Sequence, residues 1–173
     1  MINHKMDNDF EGKSVTFNCI YVGDNYLNTM GMDLLEGRDF LTGDLNKSCL
    51  INEEGYKQYG WESLEGKRYN NGQEGGFEII GKIKNFKFES YYNAVEPLVL
   101  LFTGADFGNV LSVRLSAGNT GQQVDQISKV WKSISPHEPF SFIFYDHFFQ
   151  SFYEKEEKLA SSITFFTLIA IAL

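Results

Sequence analysis

Positive charge is what this sequence has too little of. Fifteen Lys and Arg stand against 23 Asp and Glu, a formal charge of −8. That balance excludes a general nucleic-acid binder, which needs a basic footprint against phosphate. Cysteine is scarce too: Cys19 and Cys49 cannot frame a disulfide scaffold, and they lack zinc-ligand spacing. Three prolines and no low-complexity tract exclude a stalk or linker. The three histidines, His4, His137 and His147, have no i,i+4 partner among them, which excludes a HExxH-type metal site. No G-x-S-x-G elbow occurs. The N-terminus, MINHKMDNDF, has no apolar core and no small-residue cleavage site, so no export signal is read there. What remains is ordinary for a globular chain: 43% hydrophobic and 22% charged residues, with 16 Phe suiting a β-rich core. A length of 173 residues is about one domain's worth.

The C-terminus is the exception to this soluble composition. After Lys158 the chain reads LASSITFFTLIAIAL without a charge. As a helix those residues span roughly 22 Å at 1.5 Å each, short of the ~30 Å hydrocarbon core. A run of that length is commonly a buried core helix. Here, however, apolar residues fall on every face from Ile163 onward, interrupted only by Thr164 and Thr167. A helix lying on a core keeps a polar stripe instead. The run is therefore expected to be the start of a truncated transmembrane helix, with Ile163, Phe165, Phe166, Leu168 and Ile169 inserted in the membrane.

The rest of the chain alternates short strands and helices. Residues 15–22 (VTFNCIYV) read as a strand, with Val15, Phe17, Cys19 and Tyr21 on one face. Asp24 is placed to cap a short helix through Met30, and Gly31 to end it. A second extended piece lies within residues 33–40, with a turn at Gly43. Residues 48–51 form a short strand; Asn52 caps a helix whose Glu53 and Glu54 favour its dipole, and Gly60 stops it. Residues 65–76 are a hairpin or loop region. Residues 77–88 (FEIIGKIKNFKF) give the longest strand signal. Phe77, Ile79 and Ile83 share one parity and Phe86 and Phe88 the other, which requires a bulge or break near Asn85. Pro97 introduces LVLLF, fit for a strand covered on both faces. LSVRLS, residues 111–116, alternates as a half-exposed strand. Thr120 and Gln123 offer a capping box ahead of a helix with Val124, Ile127, Val130, Trp131 and Ile134 on one face, stopped by Pro136. Phe140, Phe142 and Phe144 alternate as a last strand, and Asp146 caps a final helix running into the apolar tail. There is no internal repeat and no interdomain linker. The class is α+β, with a mixed or antiparallel sheet and short helices.

No catalytic constellation emerges. Residues 76–82 (GFEIIGK) satisfy half of a P-loop, but Ile83 stands where Ser or Thr would hold Mg2+, and the stretch is strand-like. Glu53/Glu54 and Glu156/Glu157 are adjacent on presumed helices and point apart, as solvated faces do. Asn46-Lys47-Ser48 is a glycosylation sequon of the kind that arises by chance. Cys19 and Cys49 lie on expected strands and are read as small buried hydrophobes rather than as a bridge. No catalytic residue, cofactor site or metal site is expected.

In their order these segments resemble the MacB-like periplasmic core domain of FtsX-like ABC transporter permeases. YVGDNYLNTMGMDLLEGRDF is similar to the family's opening, with Gly37-Arg38-Asp39-Phe40 as its signature. Leu50, Ile51, Asn52 and Glu53 follow as the strand into Ile-Asn-Glu. Gly60-Trp61 and Glu65-Gly66-Lys67 look like the "lGw…piGk" stretch. IIGKIKNFKF is similar to "iiGvvkDFhf", with Asn85 where an acid is usual and Lys87 where His is usual. PFSFIFYDHFFQSFYEKEEKL looks like the entry into the next transmembrane helix, in the style of the second extracytoplasmic domain of the large duplicated permeases common in Bacteroidetes. The likeness runs from about Tyr21 to the end.

The resemblance implies an extracytoplasmic domain over residues 1–158, without catalytic residues, and the start of a transmembrane helix over 159–173. It implies location at the cell inner membrane with this domain on the periplasmic side. The partners it implies are the membrane, the remaining permease transmembrane helices and a separate ATP-binding ABC subunit or domain, with no nucleic acid. The preceding transmembrane helix is expected upstream of Met1. The flank 154–158, with three Glu and two Lys, is unlike the Lys/Arg-rich flank expected inside. The alternative is a small exported binding module held by a single C-terminal membrane anchor.

Overall fold

The computed structural model describes residues 4–10, 13–70, 75–86, 94–104 and 110–145. The final helix from Asp146, its apolar tail and the residues assigned to the membrane lie outside the described residues. Among the described residues no helix is long and apolar enough to cross a membrane. The chain divides into two units, one of Met1–Lys87 with Ala94–Arg114 and one of Phe88–Asn93 with Leu115–Leu173.

The first unit is a seven-stranded mixed sheet with two short helices. Its elements are β1 (His4–Phe10), β2 (Lys13–Val22), α1 (Tyr26–Met30), β3 (Leu34–Gly37), β4 (Ser48–Asn52), α2 (Glu53–Tyr59), β5 (Arg68–Tyr69), β6 (Phe77–Ile83) and β7 (Leu98–Phe102). The strand order is β1-β2-β7-β4-β6-β3, with β5 also pairing β6. β2 runs parallel to β7 and β4 parallel to β6, while the remaining pairs are antiparallel. The class expected from the sequence, α+β, is the one observed, and of the two sheet types left open, mixed or antiparallel, the sheet is mixed.

LVLLF explains the centre of this order. All five of its residues are buried, as a strand with neighbours on both sides and cover on both faces must be. One face joins Val15, Phe17, Cys19, Cys49, Ile51, Val99 and Leu101 to Tyr59, Trp61 and Leu64. The helix α2 can approach this face because of Gly55: a Cβ there would lie 2.4 Å from the Phe17 ring. Strand alternation turns Ile20, Val22, Leu50, Leu98, Leu100 and Phe102 to the opposite face, where they are buried as well. There Phe40 stacks on Phe102 with ring centres 4.9 Å apart.

Several local expectations hold and others need correction. Asn52 caps α2, its Oδ1 accepting from the Gly55 N–H at 3.0 Å, and Gly60 ends the helix in the left-handed conformation. Gly31 likewise ends α1. Asp24 does not cap α1; the helix starts from Asn25, itself left-handed, with no side-chain cap bond. The parity change in residues 77–88 appears as a strand end, since β6 stops at Ile83 and leaves Phe86 outside it. A bulge does occur, but earlier: Cys49 pairs Ile79 and Leu50 pairs Gly81, so Ile80 is the extra residue.

In the second unit the helix α3 (Thr120–Ile134) forms as its periodicity requires. Its cap is Asn119, whose Oδ1 accepts from the Gln122 N–H at 3.2 Å, in place of the Thr120/Gln123 box. Neither LSVRLS nor residues 140–144 joins a ladder among the described residues. Alternation reports only which way side chains would point. It does not supply a neighbour for the backbone.

Candidate functional site

Three places in the first unit bring polar or reactive groups together. The first is built by the Gly-Arg-Asp-Phe signature. Gly37 has φ +79°, and a Cβ there would fall 2.2 Å from the Ile80 carbonyl oxygen of β6, so no other residue fits against that strand. Arg38 follows, its N–H donating to the Ile80 carbonyl at 3.1 Å, and its guanidinium grips the Asp44 carboxylate with both Nη atoms. Asp44 also accepts from the Leu41 N–H at 2.8 Å and from Ser48 Oγ at 3.2 Å. These bonds, that from Arg38 foremost, hold its carboxyl at about 2, well below the usual range. All acceptor capacity is engaged, so the cluster ties β3 to the start of β4 and leaves no carboxylate for acid–base work.

The second is the pair of thiols. Both are free and fully buried, so Cys19 and Cys49 form no bridge. Cys19 Sγ lies 2.9 Å from the Tyr69 hydroxyl in the core. Burial pushes both thiols up, Cys49 strongly, and raises the Tyr69 hydroxyl too. A thiol held protonated and out of solvent is inert, so neither is a nucleophile.

The third is a shallow hollow of about 460 Å3 lined by Gly60, Trp61, Glu62, Ser63, Glu65 and Lys67. The Trp61 ring stacks on Tyr59 at 4.3 Å, and the Lys67 ammonium sits 5.6 Å from the indole centre. Ser63 Oγ accepts from the Glu65 N–H at 3.1 Å. The hollow offers no nucleophile beside a base.

The P-loop fragment fails on geometry as well as on sequence. Residues 77–82 lie in β6, and Lys82 Nζ contacts Glu36 at 2.8 Å and covers the Tyr56 ring at 4.2 Å. His137 is exposed in its turn and His4 starts β1, while His147 lies outside the described residues. Among the described residues no group of three or more His, Cys, Asp or Glu could hold a metal.

Among its described residues the second unit carries exposed apolar surface. Trp131, Phe140, Phe142 and Phe144 contact in series at 6.4, 5.6 and 5.3 Å. Val130, Ile134 and Ile143 are more than half exposed.

Sequence reasoning missed Asn18, Glu96 and Arg114. Asn18 is buried in β2 with its Nδ2 donating to Glu96 Oε2 at 2.7 Å, and Arg114 Nε donates to the Thr29 carbonyl at 2.8 Å. One signal was present for the first, an amide in the middle of the apolar run VTFNCIYV. Nothing local marked the others.

No protein-family model matches the chain, and no curated protein matches it in sequence. Solved structures do share its fold. The periplasmic region of MacB from Actinobacillus actinomycetemcomitans matches at a TM-score of 0.58 and 18% identity, over 86% of this chain and 72% of that one. A domain of a protein described as a permease from Porphyromonas gingivalis matches at 0.52 and 18% identity, over 76% of this chain and 65% of that one. The fold is therefore that of a MacB-like periplasmic domain, the family fold which the sequence resembles.

Proposed function

We propose that this chain is the extracytoplasmic domain of an ABC transporter permease, on the periplasmic side of the inner membrane. It couples ATP hydrolysis by a separate cytoplasmic subunit or domain to export or force transmission. The observation that carries the reading is the fold shared with the MacB periplasmic region over 86% of this chain. The polar clusters of the first unit support it, since Arg38, Asp44 and Lys82 are engaged in holding strands together. In this reading residues 1–158 form the domain and 159–173 begin a transmembrane helix, with Ile163, Phe165, Phe166, Leu168 and Ile169 in the bilayer. Residues 146–173 then form one rod from domain to membrane, able to transmit a shift or tilt.

The stiffness of that rod is the testable part. Inserting Gly-Pro after Lys155 removes a backbone donor and breaks a helix at a cost of ~3 kcal/mol or more. In the permease reconstituted with its ATPase, the insertion is expected to abolish transport while ATP hydrolysis continues. Both rates are measured on the same vesicles, and normal transport with the insertion in place overturns force transmission.

A further inference from the structure

The chain passes between its two units after Lys87, after Asn93 and after Arg114. The first two passages leave from β6 and return to β7, the strands on either side of β4. β4 is parallel to β6 and antiparallel to β7. The end of β4, the end of β6 and the start of β7 therefore lie at the same edge of the sheet. Asn52, Glu53 and Glu54 occupy that edge and reach both neighbours. On the departing side, Asn85 Oδ1 accepts from the Glu54 N–H at 3.0 Å while the Asn85 N–H donates to Glu53 Oε2 at 2.9 Å. On the returning side, Asn52 Nδ2 donates to the Glu96 carbonyl at 2.9 Å, and Asn52 Oδ1 accepts from the Leu98 N–H at 2.9 Å. Asn18 adds its bond to the Glu96 carboxylate from β2.

None of these is a ladder bond, and two of the side chains, Asn18 and Asn52, are at most 1% exposed. Burying an amide is costly unless its bonds are used, and Asn52 spends both its Nδ2 and its Oδ1 here, whereas Asn18 spends its Nδ2 on Glu96 and leaves its Oδ1 without a hydrogen bond. The third passage has its own tie, Arg114 onto the last turn of α1. Residues 84–86, 94–97 and 110–114 belong to no strand. Backbone bonds also hold Lys84 to Asp33 and Pro97 to Asn18, and the side-chain bonds extend that hold to Asn85 and Glu96, nearer the passages, against local opening.

We propose that Asn52-Glu53-Glu54 with Asn85 and Glu96 is a mechanical clasp, seconded by Arg114. It binds the departing and returning segments to the end of β4, so that force entering through them reaches the sheet as a whole. The inference rests on the force-transmission reading above and assigns that role to positioning residues.

Asn85→Ala and Arg114→Gln test it, because both side chains are exposed and the sheet does not depend on them. Hydrogen exchange on the full chain is expected to speed up about tenfold at the Glu54 and Asn85 amides in Asn85→Ala, with β4 and β7 unchanged. In Arg114→Gln the faster exchange is confined to residues 110–116. In the permease the double variant is expected to halve, or more, the substrate moved per ATP. Asn85→Asp, which keeps the acceptor, restores the value. Leu64→Ala, a core truncation outside the clasp, lowers thermal stability and leaves the ratio unchanged. Unaltered exchange overturns the clasp, as does unaltered transport per ATP or an equal loss in Leu64→Ala. The Gly-Pro insertion run alongside separates the two ideas. If it uncouples transport while the clasp variants do not, the clasp alone is wrong; if it too leaves transport normal, force transmission is wrong.

Discussion

Asp44 shows how one residue's ionisation enters the stability of the sheet. Its carboxyl is held at about 2 in the folded chain, against roughly 4 when unfolded. Its contribution is therefore fully present above about pH 4 and is lost as pH falls through about 2. The partner Arg38 has a side chain 48% exposed, so solvent screening limits the pair to about 1 kcal/mol in spite of its two-pronged geometry. Asp44→Asn is expected to lower the denaturant midpoint by a constant amount above pH 5, and the gap to the wild type should close between pH 4 and pH 2. Denaturant unfolding of both proteins across that range is the measurement, and a gap independent of pH would assign Asp44 a purely steric role. At this scale the sequence was partly readable. The Gly-Arg-Asp-Phe signature could be picked out, but its acceptor Asp44 lies beyond the signature and is joined to it only by the fold. Asn18 was visible as an oddity, whereas Glu96, its partner 78 positions on, was not.

Among the elements, the strands and helices whose signals are local came through most clearly. Ser48–Asn52 with its cap, and LVLLF after Pro97, follow from burial and capping chemistry that operate within a few residues. Caps elsewhere were misassigned by one residue: Asn119 rather than Thr120 accepts the first-turn N–H, since adjacent polar residues can each do so, and α1 starts from the left-handed Asn25 rather than Asp24 with no side-chain bond at all. Strand pairing was the harder inference. LSVRLS alternates as cleanly as residues 77–83, yet among the described residues only the latter finds neighbours, β4 on one side and β3 with β5 on the other. Asn52 concentrates what the local signals do establish. Beyond capping α2 it bonds Leu98 and Glu96, so its removal costs more than a cap. Asn52→Ala is expected to lose about 1 kcal/mol for the cap and a further 1–3 kcal/mol for the buried groups left without partners. Denaturant unfolding gives the value. A loss no larger than that of Asn85→Ala, whose side chain is exposed, would show that the bonds to β7 contribute nothing net.

For the whole molecule, the question is which residues belong to a water-facing domain and which to the bilayer. Each answer has a physical signature. The first unit buries its apolar residues on two sheet faces, and its exposed leucines, such as Leu41 and Leu45, are scattered in the ordinary way. Residues 159–173 are of another kind: they carry no charge, and Thr164 and Thr167 alone interrupt the apolar residues from Ile163 on. A stretch like that gains roughly 25 cal/mol for each Å2 of apolar surface taken out of water, by whatever takes it out. Two environments compete for it, lipid and the protein's own core, and they make opposite predictions for truncation. If lipid is the destination, the full chain floats with liposomes or requires detergent, while a version ending at Glu157 stays monomeric in buffer with its unfolding midpoint unchanged. If the core is the destination, the full chain is monodisperse without detergent and truncation lowers the midpoint, because a core face is laid open. The all-round apolarity favours lipid, since a helix against a core needs only one apolar face. Liposome flotation and size exclusion of the two versions decide between them. Loss of stability on truncation would place the tail within the fold and remove the rod on which force transmission depends.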